Sequence, residues 1–277
     1  MTRTSDRSRT RAAWTLALAL VALTSGCSTP SVDLGTWRAR ESVARAVEQR
    51  GTQAADVATV ERLREADELA ESRKLALQLA AEHADDGAVL LLASRAESDG
   101  VLLYPEADKD SRNHAAASSL AYAERARELG QESPAAQAQL AWVLGTTTHL
   151  QSMGDRSAHA RRTKEVAERV IAQDPQNAVA LATLAVLNLR LETLPWIANL
   201  MASGLPESSL DDAESFARRA VAARPSRENR QILAKVLIAR DREDEARAEL
   251  QAALDAGAHF PRDHALEAPI RKLLADL

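Results

Sequence analysis

From about residue 36 to the C-terminus, apolar positions recur at helical spacing, with polar turn signals between the stretches. The last unit is the clearest. Ile232, Leu233, Val236 and Leu237 share one helical face, and Arg240-Asp241-Arg242-Glu243-Asp244 makes a polar turn. Ala246, Leu250, Ala253 and Leu254 then form a second stripe at i, i+4, i+7 and i+8. Two such helices packed antiparallel bury one side and leave the other in need of a neighbour. A repeat satisfies that need.

Similar pairs lie upstream. Leu92-Ala93, Leu140-Ala141, Leu184-Ala185 and Leu233-Ala234 each sit inside a first helix, where the Ala lets the next helix approach closely. Second helices carry Ala123 and Ala126, Ala167, then Ala213, Ala217 and Ala220 at close-packing points. Pro134, Pro175 and Pro225 fall where new helices start, and Ser209 or Asp211 is a natural cap for the helix over 210–223. Composition agrees. Ala and Leu dominate, Phe and Tyr number two each, and β-branched runs are nearly absent, so strands are not expected. The expected fold is all-α: a tetratricopeptide-like right-handed array of about five antiparallel helix pairs with a C-terminal capping helix. The Leu-Ala pairs lie 48, 44 and 49 residues apart, against a tetratricopeptide period of about 34. Loops or extended helices must absorb the excess, and residues 105–112 and 203–209 are candidates. An irregular helical bundle is the competing architecture.

The N-terminus reads differently. Residues 1–11 are polar and Arg-rich, and Ala12 to Leu23 form an apolar core of about twelve residues, too short to span a membrane. Leu23-Thr24-Ser25-Gly26-Cys27 follows and resembles the lipobox of bacterial lipoproteins, which implies acylation of Cys27 after removal of residues 1–26. Cys27 is the single Cys, so no intramolecular disulfide can form. Residues 27–35 then act as a flexible tether before a helical domain over 36–277. Ser28, where inner-membrane retention favours Asp, leans toward the outer membrane, facing the periplasm. The net charge is -5, and residues 1–26 carry +3 of basic excess, so the remainder is acidic and unsuited to nucleic acid.

Residues 192–206 read ETLPWIANLMASGLP. With Gly154-Asp155-Arg156, Lys164-Glu165-Val166-Ala167 and Asp174-Pro175-Gln176-Asn177, this insertion resembles the helical domain of the regulator of microtubule dynamics family and its bacterial relatives. A weaker similarity, carried by Gln231 to Leu237, is to the T-component lipoproteins of TRAP transporters. The resemblance implies a tetratricopeptide-like adaptor at a membrane, with protein or lipid partners.

In a stacked array the first helices line a concave groove. The expected groove residues are Leu90, Ser94 and Glu97, then Ala138, Trp142 and Thr146, then Val186, Leu189 and Arg190, and finally Lys235 and Ile238. An apolar middle beside two cations suits an acidic peptide or a lipid-like anion; Trp142 packed as core is the competing reading. Trp196 is expected to plug the insertion against the repeat. No HExxH, paired Cys, phosphate loop or nucleophile elbow occurs, and His259, Asp263 and His264 read as loop residues before they read as a metal site. The expected function is a lipid-anchored adaptor for an envelope protein or peptide, with no cofactor and no catalysis; the alternative is an accessory binding protein for a hydrophobic or lipid-like ligand, serving a transporter. The Cys27 assignment is tested by palmitate labelling in bacteria: the wild-type chain takes up label and Cys27→Ser takes up none, whereas label that survives the substitution removes the anchor.

Overall fold

The computed structural model describes residues 54–152, 154–194 and 204–277, all within the compact unit Val47–Leu277. The signal peptide, Cys27, the tether and Trp196 lie outside the described residues. Among the described residues, every regular element is a helix. The α-helices are α1 (54–65), α2 (Leu69–Glu82), α3 (Gly87–Gly100), α4 (Lys109–Glu128), α5 (Pro134–Thr147), α6 (Arg156–Gln173), α7 (Ala178–Glu192), α8 (Leu210–Ala223), α9 (Arg227–Ala239), α10 (Glu243–Asp255) and α11 (Asp263–Ala275). No described helix is long and apolar enough to cross a membrane.

Local chemistry sets where these helices begin. Asp86 accepts from the N–H groups of Ala88 and Val89 to start α3. Ser133, Asn177, Ser209 and Ser226 each cap the third residue beyond themselves, opening α5, α7, α8 and α9. Pro134 occupies the first turn of α5, where its missing N–H costs nothing. Of the two expected caps for α8, Ser209 takes the role, accepting from the Asp212 N–H at 3.0 Å.

The helices pair as α1/α2, α3/α4, α5/α6, α7/α8 and α9/α10, with α11 as the cap. Contacts are densest within the four later pairs, and α5, α7 and α9 also pack side by side as an inner layer. The alanines make this possible. Ala141, Ala185 and Ala234 on inner helices cluster with Ala167, Ala213, Ala217 and Ala220 on outer ones, and Ala93 clusters with Ala126 of α4; all are buried. Leu144, Leu181, Leu184, Leu233, Leu237 and Leu250 fill the spaces between, each contributing about 1.5–3 kcal/mol of burial. The long spacing of the repeats resolves into α4, with 20 residues, and α6, with 18, together with connections at 101–108 and 148–155 that each hold a 3-10 turn. Of the candidate stretch 105–112, residues 105–108 belong to the connection and 109–112 form the first turn of the long α4.

The chain then closes on itself. Asp67, in the turn between α1 and α2, accepts from the N–H of Arg262 at 2.7 Å and of His264 at 2.6 Å. Arg262 takes a left-handed backbone at the start of α11 and offers that helix no side-chain cap. A residue almost two hundred positions upstream therefore caps α11. Lys272 on α11 adds an exposed pair with Glu106 at 3.0 Å. Losing the carboxylate in Asp67→Ala leaves two amide donors without acceptors and is expected to cost about 1–2 kcal/mol. Urea unfolding checks the cost, and hydrogen exchange is expected to quicken in α11 before it quickens in α5.

A closed groove as candidate functional site

Closure turns the concave face into chambers. The larger, of about 720 Å3, is walled by the inner helices and roofed by Leu266, Pro269 and Leu273 of α11. An apolar chamber of about 480 Å3 adjoins it at the C-terminal ends of α5 and α7, lined by Val186, Leu187, Leu191, Leu194 and Leu205. Both share Trp142, Thr146, Val186 and Arg190. Their volumes fall in the ~300–1,000 Å3 range of small-ligand sites.

Trp142 stands between groove and core. It is 9 % exposed, belongs to the main hydrophobic cluster, and still borders both chambers. The Arg262 guanidinium lies 5.6 Å from its ring centroid and is held there by Glu228 at 3.0 Å and Asp99 at 3.6 Å. Asp99 in turn binds Arg64. Asp99 is thus a buried carboxylate shared by two guanidiniums.

The two cations expected in the groove meet there. Arg190 donates to the Gly145 carbonyl at 2.8 Å, and Lys235 to Gln231 Oε1 at 3.3 Å; neither forms an ion pair among the described residues. Burial lowers the pKa of both, and for Arg190 it is the whole cause. For Lys235 the nearby Arg190 cation pushes further down, against a partial upward pull from Glu228 and Glu106. Gly145 leaves little room: a Cβ there would lie 3.3 Å from Thr163 Cγ2.

The remaining expected groove residues divide. Thr146, Val186 and Leu189 line the chambers. Ile238 is half-buried against the core. Leu90 is buried in the cluster between α2, α3 and α4. Ser94 is buried in a polar knot, where Ser119 Oγ donates to its carbonyl at 2.7 Å and Gln139 to its hydroxyl at 3.2 Å. Glu97 is buried against Arg73, which grips it with two hydrogen bonds of 3.1 Å. Ala138 is buried at the inner face of α5, beside a further polar cavity. The groove side of α3 is therefore one turn further on, at Ser98, with Val101 and Leu102 beyond it. A uniform register puts Leu90, Ser94 and Glu97 on an open face, whereas α2 and α4 cover that part of α3.

Asp263 is spent structurally. Its carboxylate accepts from the N–H groups of Arg227, His259 and Phe260, each at 3.0 Å. No group of three potential metal ligands occurs among the described residues. Arg262 and the α11 residues escaped the sequence reading because they reach the groove only through closure.

The fold defines a tetratricopeptide-like helical repeat, the kind of stack that presents a concave interaction surface. The chain matches the family described as regulator of microtubule dynamics protein 1-3 over residues 56–277, and it belongs to that family. A thermophilic TPR protein of Thermus thermophilus is similar in structure, with a TM-score of 0.57 and 14 % identity, covering 80 % of this chain and 99 % of its own. The 41-end form of MamA from Desulfovibrio magneticus RS-1 aligns at a TM-score of 0.41 and 13 % identity, over 73 % of this chain and 93 % of its own. No curated protein matches in sequence. The coupling of the two groove cations has a direct readout. Arg190→Gln is expected to raise the Lys235 pKa toward the ordinary lysine range, followed by NMR titration of the reductively methylated side chain; an unmoved pKa would separate them.

Proposed function

We propose that this protein is a binding protein, tethered to the bacterial envelope through acylated Cys27, that holds an anionic amphiphile in its closed groove. The observation that carries the reading is the apolar chamber of about 480 Å3, bordered by Arg190, which it shares with the adjoining larger chamber that Lys235 lines. Val186, Leu187 and Leu191 offer the wall for a hydrocarbon tail, and the cations offer the counter-charge for a head. Neither cation has a paired carboxylate among the described residues, which supports a role for an external one. An outer-membrane site facing the periplasm would place the groove where such ligands pass between envelope components or to a transporter.

A protein or peptide partner is the second reading, supported by the repeat architecture and by the larger chamber, where an acidic segment would meet the same cations. The roof formed by α11 favours the smaller ligand, because a folded partner would need that helix to move. Organic extraction of the purified full chain followed by mass spectrometry decides between them. The first reading expects a co-purifying acidic amphiphile near equimolar amount, falling about tenfold in the Arg190→Gln/Lys235→Gln double variant. Extracts without amphiphile, or with equal amounts from both proteins, remove it. A specific crosslinked envelope protein under the same conditions would establish the second instead.

A further inference from the structure

A further cavity of about 270 Å3 lies toward the N-terminal ends of α5 and α7, sharing Trp142 with the apolar chamber and Ser98, Trp142, Glu228 and Arg262 with the larger one. Its character is opposite. Four guanidiniums, those of Arg64, Arg95, Arg224 and Arg262, line it against two carboxylates, Asp99 and Glu228.

The pairing leaves one cation over. Arg64 is taken by Asp99, and Arg262 by Glu228 with Asp99 behind it. Arg95 is answered by Glu61 at 3.0 Å. Arg224 has no ion pair and no side-chain hydrogen bond among the described residues; its guanidinium rests 5.6 Å from the Phe260 ring centroid. The Nε atoms of Arg224 and Arg262 are both buried without a hydrogen-bond partner. The Arg262 Nε still faces Asp99 at 3.6 Å, whereas the Arg224 Nε has no acceptor among the described residues, which is uncommon because a buried donor gives up its water for nothing. The first turn of α7 adds to the field. Ala178 and Val179 border the cavity, so the positive end of that 15-residue helix faces it. Burial lowers the Arg224 pKa, and Arg64 and Arg262 lower it further, against partial relief from Glu228 and Asp263.

We propose that this cavity is a binding site for a phosphate group, free or as a compact monoester, with Arg224 as its principal ligand and the Arg262 guanidinium beside it. Its volume admits a headgroup and no long tail. The anion would bridge the α8–α9 link to the start of α11, so that occupancy tightens the closure of the array. The site is distinct from the amphiphile chamber, and neither result decides the other.

The test uses the full chain in inorganic phosphate against chloride of equal ionic strength. Phosphate at about ten times its Kd is expected to raise Tm by roughly 3 °C, and its 31P line should broaden on adding protein. Both effects should disappear in Arg224→Gln with an unchanged helical circular dichroism spectrum. Equal Tm in both salts, or an undiminished response in Arg224→Gln, overturns the site. If that variant does not fold, Arg224→Lys is read instead: it keeps a charge and loses Nε, so phosphate affinity should fall about tenfold, and unchanged affinity overturns the proposal. Competition by glycerol 3-phosphate supports the site as one for a monoester; no competition supports it as one for the free anion.

Discussion

The contact between Asp67 and the start of α11 governs what the rest of the molecule can do. A stack of helix hairpins has two raw ends and an open concave face. Here the first turn of the array supplies the acceptors that the last helix lacks. The left-handed backbone at Arg262 turns two nearby donors toward that carboxylate. The same turn carries the Arg262 side chain between Asp99 and Glu228 and over Trp142. Capping and closure are thus one event, and a surface that would be a shallow groove becomes a set of chambers.

Closure matters only because the inner layer is thin. Alanine at the points where α5, α7 and α9 meet their outer partners draws the backbones together, and Gly145 continues the pattern into the site. With no side chain there, the Gly145 carbonyl is left accessible and anchors Arg190. The residues that permit close packing and those that orient the groove cation therefore belong to one physical requirement. A larger residue at 145 would press on Thr163 and disturb both together.

The architecture was legible because amphipathic periodicity reports it directly. Each helix shows one face to the core, and five pairs with a cap follow from counting faces. The groove was legible in part. Trp142, Thr146, Val186, Leu189, Arg190 and Lys235 were found because α5, α7 and α9 repeat the same exposure along the inner layer. Leu90, Ser94 and Glu97 were misplaced because α3 lies deeper between its neighbours than a uniform register allows, and Arg73 comes from α2 to pair with Glu97. The roof from α11 left no trace in any window of sequence. A hydrogen bond between residues 67 and 262 has no local signature, and a left-handed Arg in a Phe-Pro-Arg-Asp turn reads as an ordinary loop.

The electrostatics then point in a consistent direction. The full chain is acidic, at -5, and its surface carries many paired charges, such as the Glu214 cluster with Arg218, Arg240 and Arg242. Acidic residues are therefore abundant, and Glu106, Glu228 and Asp99 line these same spaces, yet among the described residues Arg190, Lys235 and Arg224 form no ion pair. Folding gains nothing from holding partly desolvated cations close to one another. Local rules of this kind are broken where binding, and not stability, set the residue. Among the described residues, Arg190 and Lys235 in the groove and Arg224 in the neighbouring cavity are such places.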